Sequence, residues 1–366
     1  MRSSLIRFVL PSLAAALLCA GVASASDFTD SLKMGAPDLK SAGPLCFGPE
    51  GILFVGDTQG AAVFALDTAD RTASKSSDRP KVENIDETIA SMVGIDAKQL
   101  LLNDVAVNPI SGNVYVSASR GKGPDAAPLL FRVGRSGKID EVGLKDIKFA
   151  KAALPNPVAQ GKNRQDAITH IAFVKDRVYI AGLSNENFAS NLRSLAFPFE
   201  AADEGASVEI FHGSHGRLET KSPVRTFVEY DIGGQPNILA AYTCTPLVKI
   251  PVADLKPGQL VKGVTVAELG AHNRPLDMIV YQKDGKDYLL MANNARGVMK
   301  VSLEGVDTAK PIITPIKLDA TAGQKFETIS GLKGVEQLDG FDKDHALILF
   351  RDKVNGPATL DTIELP

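Results

Sequence analysis

Short runs of alternating apolar and polar residues, separated by turns rich in glycine, proline and asparagine, make up most of the chain. In VAVNPISGNVYVSASRG, residues 105–121, two alternating runs flank the turn NPISGN, which is the pattern of a β-hairpin. Helical spacing is found in DETIASMVGIDAKQLL, residues 86–101. A two-domain α/β protein would need several long amphipathic helices, so the pattern favours an all-β fold.

The hairpin pattern recurs at intervals of about 50–65 residues, which is typical of a repeat architecture. The segment FVEYDIGGQPNILAAYTCTPLVKIPVADL, starting at Phe227, aligns without a gap with MIVYQKDGKDYLLMANNARGVMKVSLEGV, starting at Met278. The other copies start at Leu45, Val105, His170 and Glu336. Each copy predicts three strands, which we call a, b and c.

A further alternating segment follows five of the six copies and predicts a fourth strand, d. These segments are residues 81–85, 139–144, 207–211, 264–269 and 311–318. Four antiparallel strands repeated six times predict a six-bladed β-propeller, formed as one domain by residues 26–366. The sixth copy ends without a strand d, and DSLKMGA, residues 30–36, is free to supply one. We therefore predict that the N-terminal strand closes the last blade and covers its edge.

The first 25 residues have the pattern of a secretory signal peptide. Arg2 and Arg7 precede an apolar run, residues 8–22, and Ala23-Ser24-Ala25 is a small-x-small cleavage site. The run is too short for a membrane-spanning helix. We expect an exported protein that lies in the periplasm and does not insert into the membrane.

The formal net charge is −3, and neither basic nor acidic residues form a run. This balance argues against nucleic acid as a partner, and we expect a small molecule or a periplasmic protein instead. We expect the protein to be a monomer. Cys46 and Cys244 remain after processing, and the repeat places them in different blades. Two free thiols are the favoured interpretation, with a disulfide as the open alternative.

Long connections from strand d to the next strand a, at residues 87–102, 146–168 and 212–223, share one face of the predicted propeller. Long loops on a rigid scaffold often carry function, so we place the candidate site on this d-to-a face. The repeat brings oxygen-bearing side chains to this end of the channel, and Ca²⁺ or a row of waters suits such a set. The candidate metal ligands are Asn103, Asp277, Asn293 and Asp57, and the candidate binding residues are Asp104, Arg274, Asn185 and Glu336.

Histidines add two further hypotheses on the same face. His170 and His272 are candidate general bases, because imidazole titrates near neutral pH; structural hydrogen bonding is the alternative. His212 and His215, together with Cys244, form a candidate site for a soft or borderline metal, and a solvated loop is the alternative. Phosphate-binding glycine loops, nucleophile elbows and His-Glu-x-x-His motifs are absent from the sequence.

The segments NDVAVNPISGNVYVSASRG and GPEGILFVGDTQGAAVFALD resemble blades of a six-bladed propeller superfamily. This superfamily contains the gluconolactonase/senescence-marker proteins, the paraoxonases, strictosidine synthase and the NHL-type repeat proteins. The resemblance implies a calcium-dependent lactonase or esterase in which Asn103 matches a calcium ligand, with Asp277 and Asn293 as further matches. The sequence departs from the family in its first blade, where Gly43 and Cys46 stand in the region of a glutamate ligand.

Three functional hypotheses follow from the sequence. The first is a non-catalytic periplasmic propeller that binds a small molecule, a metal ion or a protein on its d-to-a face. The second is a calcium-dependent lactonase or esterase. The third is a periplasmic metal-handling or redox accessory protein. Whether the protein is an enzyme is left open by the sequence.

Overall fold

The computed structural model describes residues 28–366, which form six sheets. Their strands pair antiparallel, except that residues 260–262 pair parallel with residues 207–209 at the edge of one sheet. The predicted signal peptide, residues 1–25, lies outside the described residues. The all-β, six-bladed propeller is confirmed. Within residues 28–366, no helix has the length and apolar character needed to cross a bilayer.

In chain order, the first nine strands are β1 (Lys33–Gly35), β2 (Leu45–Phe47), β3 (Ile52–Asp57), β4 (Ala62–Asp67), β5 (Leu100–Val107), β6 (Val114–Arg120), β7 (Ala127–Val133), β8 (Ile139–Glu141) and β9 (Ile147–Ala153). The next ten are β10 (His170–Val174), β11 (Arg177–Leu183), β12 (Ser190–Ala196), β13 (Ala206–His212), β14 (Arg217–Glu219), β15 (Thr226–Ile232), β16 (Gln235–Ala241), β17 (Pro246–Pro251), β18 (Leu260–Lys262) and β19 (Val264–Glu268). The last eight are β20 (Pro275–Lys283), β21 (Lys286–Asn293), β22 (Gly297–Ser302), β23 (Ala322–Gly323), β24 (Phe326–Thr328), β25 (Val335–Asp342), β26 (His345–Phe350) and β27 (Thr359–Glu364).

Helical structure is short and lies in the connections. The α-helix α1 (Ile85–Met92) falls within the stretch for which the sequence predicts helical spacing. The 3₁₀ turns are Phe28–Ser31, Pro49–Gly51, Ala97–Gln99, Lys162–Asp166 and Val252–Asp254.

The innermost strands β2, β5, β10, β15, β20 and β25 define blades 1 to 6 in chain order. Contacts between these strands give the order of the blades around the axis as 1-3-4-5-6-2, with blade 2 contacting blade 1 again. The ring is therefore closed, but its order differs from the order of the chain. Strand β9, which follows blade 2 in sequence, pairs with β4 as the fourth strand of blade 1. All of blade 2 is thus inserted between the third and fourth strands of blade 1.

The predicted role of the N-terminal strand is wrong. Strand β1 pairs with β9 and becomes the outermost strand of blade 1. The last blade is covered instead by residue 82, whose N–H donates to the carbonyl of Leu360 at 2.8 Å and whose carbonyl accepts from the Leu360 N–H at 3.0 Å. The segment 81–85, predicted as strand d of blade 1, therefore serves blade 6. Alternating apolar and polar residues show that a segment can form a strand, but they do not show which blade's free edge the strand will join.

The other predicted fourth strands have mixed outcomes. The segments 139–144, 207–211 and 264–269 contain or lie in β8, β13 and β19, which pair as predicted. The segment 311–318 is not a strand, and the fourth strand of blade 5 is β24. Two prolines in 311–318 remove backbone donors, which explains why this apolar alternation does not join a sheet.

Each blade packs between two neighbours, so its central strands are buried on both faces. All six residues of β3 are buried, for example. The largest apolar cluster joins blades 3, 4 and 5, with Ile210 of β13 and Val266 of β19 both buried in it. This packing fixes the junction between blades 3 and 4, where His212, His215 and Cys244 lie.

Candidate functional site

The central channel contains a cavity of about 840 Å³, which is lined by the innermost strands of all six blades. Its lining reaches the a-to-b turns through Pro109, Lys175 and Lys343, and it includes none of the long d-to-a connections. Of the predicted site residues, Asp104, His170 and Asp277 line this cavity. The cavity thus extends toward the face opposite to the one that the sequence favours.

Three aspartates on the channel wall link neighbouring blades. Asp277 of blade 5 accepts the N–H of Leu338 in blade 6 at 2.9 Å. Asp339 of blade 6 accepts the N–H of Val107 in blade 2 at 2.7 Å. Asp104 of blade 2 accepts the N–H of Leu45 in blade 1, also at 2.7 Å. Each carboxylate also accepts an N–H from the residue that follows it, so both of its oxygens have partners.

Burial raises the pKa of all three carboxyls. The pKa of Asp104 is raised to about 7 and that of Asp339 to about 6, and that of Asp277 lies well above its usual value. Mutual repulsion adds to the effect of burial, while the backbone N–H groups oppose it. Removal from water therefore outweighs the hydrogen bonds, and these groups favour the protonated state more than ordinary aspartates do.

His170 lies at the start of β10, where its ring meets the ring of Phe227 edge-on at 4.9 Å. Burial lowers the pKa of His170 to about 4, and its hydrogen bond to the backbone of Phe227 opposes this only in part. His170 therefore titrates well below neutral pH, whereas the general-base prediction assumes titration near neutral pH. His272, the other predicted base, is exposed and has a left-handed backbone with φ of 57°.

The predicted calcium ligands occupy three blades. Asp57 lies on the second strand of blade 1, opposite blade 5 in the ring, and its oxygens accept from the backbone of Lys40, Ser41 and Gly60. Asn103 lies in blade 2 and donates to Ser119 Oγ and the carbonyl of residue 42.

The blade 5 members of the calcium set, Asp277 and Asn293, are also engaged. Asn293 Oδ1 accepts from Asn273 Nδ2 at 2.9 Å, and Asp277 accepts backbone N–H groups. These contacts give Asp57, Asn103 and Asn293 local roles. Calcium binding stays a prediction.

The remaining predicted binding residues are dispersed. Asn185 and Arg274 are exposed. Glu336 is half-buried and pairs with Arg351 at 3.3 Å.

His212, His215 and Cys244 are brought together at the junction of blades 3 and 4. One nitrogen of each ring and Cys244 Sγ lie within 4.8 Å of one another. The two imidazole rings lie against each other at an interplanar angle of 34°, with centroids 3.8 Å apart. His212 is buried, whereas the side chain of His215 is 35% exposed, so the cluster is accessible to solvent on one side.

A hairpin explains how the two histidines meet. Strands β13 and β14 are joined by the turn 213–216, in which the N–H of Gly216 donates to the carbonyl of Gly213 at 3.1 Å. Gly216 has φ of 62°, a conformation that favours glycine. In this register His212 faces Arg217, and Glu219 lies two residues further along the same face.

Glu219 binds both imidazoles. Its Oε2 lies 3.1 Å from His212 Nδ1, and its Oε1 lies 2.7 Å from His215 Nδ1. A carboxylate accepts hydrogen bonds, so it places the proton of each ring on Nδ1 and leaves Nε2 as the ligand nitrogen. His212 Nε2 is buried and has no hydrogen-bond partner among the described residues. Burial alone would raise the pKa of Glu219. The hydrogen bonds from His212, His215 and Ser222 outweigh burial and hold this pKa well below its usual range.

Cys244 is supplied by the turn between β16 and β17 of blade 4. Both Cys244 and Thr245 have left-handed backbones, with φ of 65° and 56°. This conformation is unfavourable for residues with a side chain, and it is held by the bond from the Cys244 N–H to the carbonyl of Asn273 at 2.6 Å. Cys46 and Cys244 are both free, as the favoured interpretation of the sequence expects.

Two glutamates of this site are missing from the sequence-based candidates. Glu219 lies seven residues after His212, and only the hairpin register brings it back to the ring. Glu268 ends β19 and is 1% exposed, a rare degree of burial for a glutamate. A charged residue at the end of the apolar alternation VTVAEL is the signal that points to it.

Comparison with known proteins gives likenesses of fold. No protein-family model matches the chain, and no curated protein matches it. An oxidoreductase from Thermus thermophilus, described as a glucose dehydrogenase, is 12% identical with a TM-score of 0.37, covering 91% of this chain and 100% of its own. The PQQ-bound aldose sugar dehydrogenase of Streptomyces coelicolor is 12% identical with a TM-score of 0.32, covering 91% and 96%. Extracellular domains 1–2 of Drosophila Semaphorin 1b are 10% identical with a TM-score of 0.42, covering 92% and 87%.

Proposed function

We propose that this protein is a periplasmic metal-handling propeller that binds one transition-metal ion through His212, His215 and Cys244. The observation that carries the proposal is the convergence of two imidazoles and one thiol, with donor atoms within 4.8 Å of one another, from two neighbouring blades. These donors are 32 residues apart in the chain at their widest, from His212 to Cys244, so their meeting depends on the fold.

The donor set selects the kind of ion. Thiolate and imidazole suit Zn(II) and copper, whereas Ca²⁺ and Mg²⁺ require oxygen ligands. Bonds of about 2.0–2.3 Å place tetrahedral donors roughly 3.5 Å apart, so a modest contraction of the cluster accommodates the ion. The exposed side of His215 gives the ion a path in and out, which suits uptake and transfer.

The test begins with protein purified from periplasmic extract without chelator, followed by elemental analysis. The metal-free protein is then titrated with Zn(II), and with Cu(I) under anaerobic conditions. We expect one equivalent of bound ion in the wild type. We expect its loss in His212→Ala and in Cys244→Ser, because each change removes a donor atom.

Cys46→Ser is the matched control, because Cys46 is the other free cysteine of residues 28–366 and lies in blade 1. It should keep the wild-type stoichiometry. Wild-type protein that binds no ion, or His212→Ala and Cys244→Ser variants that bind as well as the wild type, would rule the proposal out.

A second candidate function is ligand binding in the central cavity. Its volume of about 840 Å³ lies in the range of small-molecule sites. Asp104, Asp277 and Asp339 line its wall, and because their pKa values are raised, a cationic small molecule would bind them in competition with protons. Calorimetric titration with Ca²⁺ and assays of lactone hydrolysis, each repeated with Asp277→Asn, distinguish simple binding from the calcium-dependent hydrolase hypothesis.

A further inference from the structure

Glu268 carries a carboxylate oxygen that has no partner beside the histidine–cysteine cluster. The side chain is 1% exposed, and Oε2 is buried with no hydrogen bond among the described residues. Its other oxygen, Oε1, accepts the N–H of Gly213, the residue next to His212. Both His212 and His215 act electrostatically on this carboxylate, which places it near the two rings.

The backbone is shaped to admit this carboxylate. A Cβ at position 213 would lie 3.0 Å from Glu268 Oε1, so a larger residue there would require the carboxylate to move by a few tenths of an ångström. A buried carboxylate with an unpartnered oxygen is unfavourable unless a proton or a cation compensates it. The Nε2 of His212 is also buried without a partner among the described residues, and His212 directly precedes Gly213, whose N–H bonds Glu268 Oε1.

We infer that Glu268 is the fourth ligand and that it makes the site selective for a divalent, borderline ion such as Zn(II) over Cu(I). This inference rests on the metal site proposed above. Glu268 lies outside the cluster whose donors are within 4.8 Å, so its carboxylate turns toward the ion when the ion binds. Two imidazoles, one thiolate and one carboxylate then complete a tetrahedral set.

Charge supports the choice of ion. The thiolate of Cys244 and the carboxylate of Glu268 together carry two negative charges, which a divalent ion neutralises. Cu(I) would leave one negative charge in a buried site, and Glu219 adds the same charge in either case. Cu(I) also prefers soft sulfur and nitrogen ligands and needs fewer of them, so it gains little from a carboxylate oxygen.

The experiment compares wild-type protein with Glu268→Gln, which keeps the size of the side chain and removes its charge. Metal-free samples are titrated with Co(II), followed by absorption, and with Zn(II) and Cu(I) in competition with chelators. We expect Co(II) to give a thiolate charge-transfer band and intense four-coordinate d–d bands in the wild type. In Glu268→Gln we expect the charge-transfer band to remain and the Co(II) and Zn(II) affinities to fall by roughly 10–100-fold.

The affinity for Cu(I) should stay at the wild-type level in Glu268→Gln. Glu268→Asp provides a second variant, because its shorter side chain keeps the charge but draws it back from the ion. Glu209→Gln is the matched control, since Glu209 lies on β13 and pairs with Lys262. Thermal unfolding of the metal-free samples checks that each variant folds.

The outcomes separate the two proposals. Wild-type protein that shows no thiolate charge-transfer band and binds neither Zn(II) nor Cu(I) refutes the metal site itself. Wild-type protein that binds Zn(II), with a Glu268→Gln variant of equal affinity and equal spectrum, refutes only the role of Glu268. Equal losses of Zn(II) and Cu(I) affinity in the variant also overturn the inference, because they indicate a general disturbance of the site.

Discussion

Glu219 is the residue that orients the two histidines of the proposed metal site, His212 and His215. It is 8% exposed in its side chain and bonds His212, His215 and Ser222 at once. Without it, neither imidazole keeps the bond that fixes its proton on Nδ1, and Nε2 is no longer held as the ligand nitrogen. Glu219 is therefore a positioning residue that acts through the two histidines.

We expect Glu219→Ala to weaken Zn(II) binding by roughly 10–100-fold while keeping the stoichiometry of one, because the three donor atoms remain. Competition titration measures the affinity, and the Co(II) charge-transfer band reports whether the Cys244 bond survives. Ser222→Ala removes a partner of Glu219 that is not itself a donor and should change the affinity little. An affinity in Glu219→Ala equal to the wild type would show that the rings are positioned by packing alone.

At the scale of residues, position in the repeat indicates which side chains come together, but it does not indicate how local hydrogen bonds use them. His212, His215 and Cys244 share a face of the propeller, and their juxtaposition follows from that face. The same reasoning makes Asp57 a metal ligand, yet its carboxylate is used by backbone N–H groups of a nearby loop. The repeat alignment carries no information about such loops.

At the scale of strands, the closure of blade 6 depends on a very short pairing. Residue 82 exchanges two backbone hydrogen bonds with Leu360, and the adjacent helix α1 contacts β27 of the same blade. Asp86 of this helix accepts the N–H of Ala358 at 2.9 Å and pairs with Arg351. The segment is thus held at several points along the edge of the last blade.

Val82→Pro should destabilise the protein by about 1–3 kcal/mol, because proline removes the N–H that bonds to Leu360 and leaves that carbonyl without its partner. Val82→Ala is the control, since it shortens the side chain but keeps both backbone bonds. Urea unfolding measures the difference between the two variants. Equal stabilities would mean that the edge of blade 6 does not depend on this pairing.

The sequence predicts the strands more reliably than it predicts their partners. Strands a to c are found in all six blades because hairpin pairing is local. The fourth strands are joined to their blades by long connections, and their assignment requires contacts between distant segments. That is why the pattern assigns 81–85 and the N-terminal strand to the wrong blades, and why it places β9 in a long connection.

For the whole molecule, the order of the blades determines which groups meet in the channel. Blades 5, 6, 2 and 1 are consecutive around the axis, and Asp277, Asp339 and Asp104 link each of these to the next. A ring in chain order would have separated blade 6 from blade 2. Burial is the main cause of the three raised pKa values, but the mutual repulsion that adds to those of Asp104 and Asp277 depends on a topology that the repeat alignment does not contain.

These carboxyls make the stability of the whole protein sensitive to pH. Burial raises the pKa of Asp104 from 3.8 to about 7, so between these values the folded state binds a proton that the unfolded state releases. The contribution of Asp104 to the free energy of unfolding is therefore largest at the acidic end of this window and falls as the pH rises through 7. The pKa of His170 is lowered to about 4, so between pH 4 and 6.5 the unfolded state binds a proton that the folded state does not. The contribution of His170 to the free energy of unfolding therefore rises with pH in that range.

The comparison of wild type with Asp104→Asn isolates the aspartate from the histidine, which is present in both proteins. Urea unfolding at several values from pH 5 to pH 8 gives the difference in the free energy of unfolding between the two proteins. We expect the stability advantage of the wild type to shrink from pH 5 to about pH 7 and to level off above it. Asp38→Asn is the control: its pKa is lowered, chiefly by the bond to Lys151, so it titrates below this range and its difference from wild type should stay constant. A constant difference for Asp104→Asn as well would mean that water in the channel solvates this carboxylate as fully as in the unfolded chain, and that the channel wall does not retain protons at neutral pH.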